Sequence, residues 1–138
     1  MSITVNIYYS GTNGSARKFA EEMMATGTVA AIRSEKGNLQ YAYFYPAEDP
    51  ETVLLIDSWE SQAAIDEHHH TPMMQTIIAL RDKYDLHMKV LRFLSDDVPE
   101  ADHGFIRSYA FSTSLHADIH SARDRLAGSS CPVLSASP

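Results

Sequence analysis

The feature that most constrains the fold is a change of period near residue 11. From Ile3 to Ser10, Ile3, Val5, Ile7 and Tyr9 occupy one set of alternate positions, and Thr4, Asn6, Tyr8 and Ser10 the other. That is the period of two of a half-buried strand. Gly11, Asn13 and Gly14 then mark a loop. From Ser15 onward Ala16, Phe19, Ala20, Met23 and Met24 recur at helical spacing, with Arg17, Lys18, Glu21 and Glu22 outside. An amphipathic helix to about Thr26 is expected. Val29–Glu35 adds a helical turn, stopped by Gly37 and Asn38.

The rest of the pattern continues the alternation of element types. Leu39–Tyr45 and Thr52–Trp59, rich in aromatic and β-branched residues, read as strands joined through Pro46 to Pro50. Ser61 is a candidate cap for a helix carrying Ala63, Ala64 and Ile65. Thr71 and Pro72 read as cap and first position of another helix, whose apolar side is Met73, Met74, Ile77, Ile78 and Leu80. Asp85–Leu94 reads as the last strand.

The order strand, helix, strand, strand, helix, strand predicts an α+β, ferredoxin-like split βαβ fold: a four-stranded antiparallel sheet with helices on one face. The other face of such a sheet must meet a partner, a ligand or water. Tyr8, Tyr41, Tyr43, Tyr45, Leu55 and Trp59 are too many large side chains for two short helices to cover. A second sheet, and hence a homodimer forming a dimeric α/β barrel, is the expected solution. Residues 1–94 would form this domain and 95–138 a C-terminal extension. The extension opens on a polar linker (Asp96, Asp97, Pro99, Glu100, Asp102), with a short strand expected over Phe105–Phe111 and a short helix over Leu115–Leu126. Its last dozen residues read as a loose end.

Charge narrows the function classes. The chain has 138 residues, 11 Lys and Arg against 18 Asp and Glu, for a formal charge of −7. Residues 1–94 hold twelve acidic and eight basic side chains, and the remainder six and three, so no basic half is concealed by the average. Such a surface repels phosphate backbones, and no nucleic-acid partner is expected. No apolar run approaches the length of a membrane span, and the first residues read as a strand and not as a leader. The lone Cys131 excludes an internal disulfide. A cytoplasmic protein without a membrane partner is the expectation.

Within Val53–Met74, VLLIDSWESQAAIDEHHHTPMM, a strand ends in Asp57 and Trp59, His68 follows nine residues after the Trp, and Thr71-Pro72 opens a helix. Gly37-Asn38-Leu39 followed by Tyr41 stands upstream. Together these resemble the antibiotic biosynthesis monooxygenase domain family over about residues 2–94. The resemblance implies the same fold and dimers paired through their sheets. It also implies oxidation of quinol- or anthrone-type aromatics by O2 without flavin, haem or metal cofactor. An electron-rich anion can reduce O2 directly, so the protein need only bind a planar aromatic substrate, manage protons and stabilise an oxyanion.

The candidate catalytic residues are His68, Asn6 and Trp59, with Tyr8, Tyr41, Asp57 and Arg92 as candidate substrate-binding residues. Asn6, opposite Ile3, Val5 and Ile7, would offer an amide to a substrate carbonyl. The family use of an Asn on this strand implies the same. Trp59 would wall an aromatic pocket and donate its indole N–H, or serve as a core or interface anchor. His68, at the family position, would serve as a base, since imidazole is the side chain suited to that task at neutral pH. His68, His69 and His70 point about 100° apart on a helix and cannot converge on one metal ion. His116 and His120 have a two-His spacing but lack the HExxH pattern. No metal site is expected.

Competing readings remain at this level. In the haem-degrading branch a Trp and an iron-ligand His would align with His68 and Ile78, leaving Asn6 as the only match. An isomerase of a small phosphorylated carbonyl compound shares the Gly-Asn-Leu and His…Thr-Pro elements, but basic residues are few. A dimeric domain that binds an aromatic ligand without turnover is the third alternative.

Overall fold

The computed structural model describes residues 1–108. The chain divides into a unit over Met1–Asp97 and a second over Val98–Pro138. In the first, the period change becomes β1 (Ile3–Ser10) followed by α1 (Ser15–Ala25) and α2 (Thr28–Arg33). The hairpin β2 (Asn38–Phe44) and β3 (Thr52–Trp59) comes next, then α3 (Gln62–His69), α4 (Met73–Lys83) and β4 (His87–Leu94). The sheet order is β2-β3-β1-β4, with every neighbouring pair antiparallel. This is the expected split βαβ arrangement.

Cross-strand register fixes which residues share a face. Val5 stands between Asp57 and Arg92, Ile7 between Leu55 and Val90, and Tyr9 between Val53 and Met88. Tyr41 opposes Asp57 and Tyr43 opposes Leu55. These residues face the helices, where Tyr9, Tyr41, Val53, Leu55 and Trp59 join Phe19, Met23 and Ile32 in the buried core. Phe19 is the pivot of α1, with its ring centroid 4.8 Å from Tyr9 and 6.1 Å from Tyr43.

The opposite face corrects one expectation. Tyr41, Tyr43, Leu55 and Trp59 lie under the helices, and Tyr45 lies beneath the Arg17 guanidinium of α1 at 4.5 Å. Of the six residues that argued for an apolar second face, only Tyr8 is on it. Four helices rather than two supply the cover, because α2 and α3 each add a buried flank. The open face is nevertheless apolar, through other residues: Ala42, Phe44, Leu54, Ile56, Leu91 and Phe93. Phe44, Leu91 and Phe93 are 43%, 38% and 50% exposed there.

Local chemistry sets the joints. Ser61 Oγ accepts the Ala64 N–H at 3.2 Å, as its position predicts. Thr71 does not cap α4; its hydroxyl donates to the His68 carbonyl at 2.7 Å and closes α3 instead, leaving Pro72 at the α4 boundary. The α4 C-terminus ends with the Leu86 N–H on the Arg81 carbonyl and the Asp85 N–H on the Asp82 carbonyl. Asp85 takes the left-handed conformation (φ 48°) where such an ending usually has Gly. Gly37 is also left-handed (φ 88°), and a Cβ there would stand 2.7 Å from that of Ala64. This close approach seats the α2–β2 turn against α3.

In the second unit, Glu100–Phe105 is a 3-10 helix. Phe105 therefore ends a helical turn and does not begin the expected strand; the chain wants its carbonyls paired locally after Pro99, whose carbonyl accepts the Asp102 N–H. Residues 109–111 of that strand, the expected 115–126 helix, His116, His120 and Cys131 lie outside the described residues.

Candidate active site

Between the sheet and helices α3 and α4 lies a cavity of about 300 Å³. Its floor is laid in rows by the register: Tyr41, Asp57, Val5 and Arg92 in one, Leu55, Ile7 and Val90 in the next, then Tyr9 and Met88. The roof is Gln62, Ile65, His68 and His69 from α3, with Met74, Ile77, Ile78 and Arg81 from α4. The lining is mainly apolar with a few convergent polar groups, the usual make-up of a small-molecule site.

His68 is 4% exposed, and its Nδ1 is 2.7 Å from Glu35 Oε2. A carboxylate on Nδ1 favours the proton there and leaves Nε2 as the basic nitrogen. Nε2 makes no hydrogen bond among the described residues, although His68 lines the cavity. The other two histidines of the run diverge. His70 Nδ1 meets the Asp66 carbonyl at 2.6 Å, while His69 reaches the cavity wall. Among the described residues no three His, Cys, Asp or Glu side chains gather as a metal site.

Trp59 stands behind this dyad. Its ring centroid is 4.8 Å from that of His68, tilted by 31°, and its indole N–H donates to Asp57 Oδ1 at 2.5 Å. The expected role of Trp59 as a wall donating to substrate is thus corrected: the ring is 1% exposed, absent from the cavity lining, and its donor is engaged. It orients Asp57 and His68. Burial pushes the Asp57 carboxyl up to about 7; the Trp59 N–H opposes that rise and the Glu35 charge adds to it. Burial likewise raises the phenols of Tyr9 and Tyr41. For Tyr9 the Asp57 charge adds to the rise and the Arg81 guanidinium opposes it. Both phenols stay protonated at neutral pH.

His68, Asp57, Tyr41 and Arg92 therefore share one cavity, with Trp59 directly beneath two of them. Asn6 and Tyr8 do not join it. They occupy the even positions of β1, opposite Val5, Ile7 and Tyr9, and so point to the open face. Asn6 Oδ1 is buried there without a hydrogen-bond partner. The expectation failed because one strand cannot send residues of both parities to one side. Glu35, Gln62, Tyr9 and Arg81 were missed. Tyr9 shares parity with Val5 and Ile7, and Arg81 follows Ile77 by four residues, so both were open to spacing arguments. Glu35 carried no such signal, because its place depends on the Gly37 turn.

An α+β sheet with a proton-handling pocket under its helices defines a class of small catalytic or ligand-binding domains. The family model for antibiotic biosynthesis monooxygenase matches residues 2–80. The chain belongs to that family. A comparison with curated proteins finds no match. Among solved structures, the chain is similar in fold to a candidate antibiotic biosynthesis monooxygenase from Deinococcus radiodurans. The identity is 18% and the TM-score 0.61, covering 72% of this chain and 97% of that one. A protein from Pseudomonas aeruginosa is 23% identical with a TM-score of 0.60, over 70% and 95% of the two chains. SnoaB, a cofactor-independent oxygenase from Streptomyces nogalater, is 11% identical with a TM-score of 0.59, over 72% and 97%. Among the described residues no helix is long and apolar enough to cross a membrane.

Proposed function

We propose that this protein oxidises an electron-rich planar aromatic of the quinol or anthrone type with O2, without flavin, haem or metal. One observation carries the reading. A carboxyl whose proton affinity is raised to about 7 and a histidine steered by a carboxylate face one apolar cavity. Proton acceptors poised near the operating pH are what such a reaction needs. Asp57 or His68 Nε2 takes the acidic proton of the bound substrate. The anion passes one electron to O2, and the ring radical and superoxide join in a C–O bond. Loss of water then breaks the O–O bond and leaves a carbonyl. One oxygen atom stays in the product and the other leaves as water. Tyr9 and Tyr41, protonated phenols on the cavity floor, are placed to donate to the developing oxyanion.

The working unit in this reading is a homodimer. The open face presents Phe44, Leu54, Ile56, Leu91 and Phe93 around an unpartnered Asn6 Oδ1. A second copy offers the same apolar surface, and its own Asn6 carboxamide carries N–H groups of the kind that the orphaned oxygen lacks. Light scattering at micromolar concentration should give twice the chain mass. A monomer would overturn the pairing.

The activity is tested by incubating naphthohydroquinones and anthrones with the protein, aerobically and anaerobically, while following O2 uptake. Oxygen-dependent conversion lost in His68→Ala supports the reading. Melting shifts with those aromatics but no product would replace it with a binding role. Turnover of a phosphorylated carbonyl compound without O2 uptake would replace it with an isomerase.

A further inference from the structure

The cavity is polarised from end to end. Along one sheet row, Asp57 and Arg92 stand on either side of Val5, two strand spacings or about 10 Å apart along the backbone. The Asp57 end holds His68 with its Glu35 partner and the protonated phenol of Tyr41. The far end holds cations. Arg92 Nη2 donates to Gln62 Oε1 at 2.6 Å, and Gln62 Nε2 donates in turn to Asp66 Oδ1 at 2.9 Å, one helical turn along α3. This relay holds the guanidinium through a neutral amide. It occupies one of the five N–H donors of Arg92, and no carboxylate comes within 4.0 Å of that side chain among the described residues.

Arg81 supplies a second cation on the same cavity. Its Nη1 lies 3.9 Å from Met88 Sδ, and its Nε meets Asp82 Oδ1 at 3.3 Å on the outer side. Two guanidinium groups thus face one apolar trough in a chain of net charge −7. A planar guanidinium fork matches a carboxylate in bidentate geometry. The apolar floor of Val5, Ile7 and Val90 would take a ring between the two ends.

We infer that the ligand is an aromatic acid: its oxygenated ring edge meets Asp57 and His68, and an ionised carboxylate on the far side meets Arg92, with Arg81 adding long-range attraction. This rests on the reading of the cavity as a planar-aromatic site and names the substrate class for it. Arg92 is then the residue that selects among aromatics, and Gln62 its positioning residue.

The test uses calorimetric titration of the full chain with 6-hydroxy-2-naphthoate, whose hydroxyl and carboxylate lie at opposite ends of the ring system, and with its neutral carboxamide, in low and high salt. The wild-type protein should bind the acid at least about tenfold more tightly, with the preference shrinking as salt rises. Arg92→Gln should abolish the preference, bringing the affinities for acid and carboxamide within about twofold of each other, and Arg81→Gln should reduce it by a smaller factor. The amide-bearing replacement keeps a polar, uncharged side chain on an exposed edge strand, and circular dichroism checks that it folds. Equal binding of acid and carboxamide by the wild type would overturn the inference and leave the aromatic site standing. So would a preference that survives in Arg92→Gln. Failure of both naphthalenes to bind would overturn the inference and the aromatic reading together. Displacement of the acid by inorganic phosphate at similar concentration would overturn the carboxylate assignment in favour of a phosphorylated ligand.

Discussion

The two faces of the sheet are built from the same strands and have opposite chemistry. Under the helices, odd positions of β1 and β3 enclose a cavity with titratable groups at one end and guanidinium groups at the other. On the open side the even positions are apolar or neutral, with hydroxyl pairs Thr4–Ser58 and Ser10–Thr52 at the two ends of the β1–β3 ladder. The difference shows how one strand serves two tasks. Alternation lets carboxyl, imidazole and guanidinium groups accumulate on the helix side. The open side, apart from Lys89 over the Tyr8 ring and His87 opposite Ser10 towards one end, stays apolar or neutral for the docking of a second sheet.

The largest expected effect strikes the helix side. His68→Ala removes the group that pairs with Glu35 and faces the cavity, and oxygen-dependent turnover should fall by roughly 10²–10⁴-fold. Glu35→Gln, which keeps a hydrogen bond but not the charge, should lose less and shift the pH profile. An unchanged profile would mean that Glu35 is only structural. By contrast, Phe93→Asp on the open face should convert the protein to monomers by light scattering, while aromatic binding in the cavity stays within about threefold of wild type. If it destroys that binding as well, the two faces are not separable.

The next effect follows from the raised carboxyl. An unfolded aspartate loses its proton near ~3.9, whereas folded Asp57 does so near 7. Between those values the native state holds more protons than the unfolded one, so stability falls as pH rises through that window. Asp57→Asn keeps an acceptor for the Trp59 indole but cannot ionise. Its stability relative to wild type should therefore rise from pH 4 to pH 7, by a few kcal/mol at about 1.4 kcal/mol per pKa unit. Urea unfolding at the two pH values checks this. Parallel curves for the two proteins would mean that Asp57 is not desolvated. No residue on the open face should give such a pH signature.

How far these faces were legible depends on which physical rule decided each residue. The strand and helix order followed from period alone, because burial on one side enforces two-residue and 3.6-residue repeats. His68 and Asp57 were legible through the family resemblance that the segment around Trp59 carries, and both line the cavity. The error over Tyr41, Tyr43, Leu55 and Trp59 came from counting aromatic residues before fixing parity. Once Val53, Leu55, Asp57 and Trp59 are set on one side of β3, the cover supplied by four helices is sufficient. Glu35 was illegible for a different reason. It reaches His68 through a left-handed Gly37 that admits Ala64 of α3, a tertiary approach with no local period. Gly37→Ala should cost about 1–3 kcal/mol by thermal unfolding, since it adds both left-handed strain and a clash. It should also weaken turnover by disturbing Glu35. A stable, fully active variant would detach that turn from the site.

The smallest effect is expected at Asn6, and it separates the faces most directly. A side chain on the even side of β1 cannot touch a ligand resting on Val5 and Ile7, so Asn6→Ala should leave turnover within about twofold. In the isolated chain its Oδ1 is buried without a partner, and deleting an unsatisfied oxygen there costs little. In a dimer the same oxygen can accept from the second copy, so Asn6→Ala should loosen the dimer by about tenfold while sparing the cavity. Sedimentation across a dilution series reads one effect and O2 uptake the other. Loss of turnover with an intact dimer would mean that Asn6 acts through the sheet on the catalytic side, and the separation of the two faces would fail.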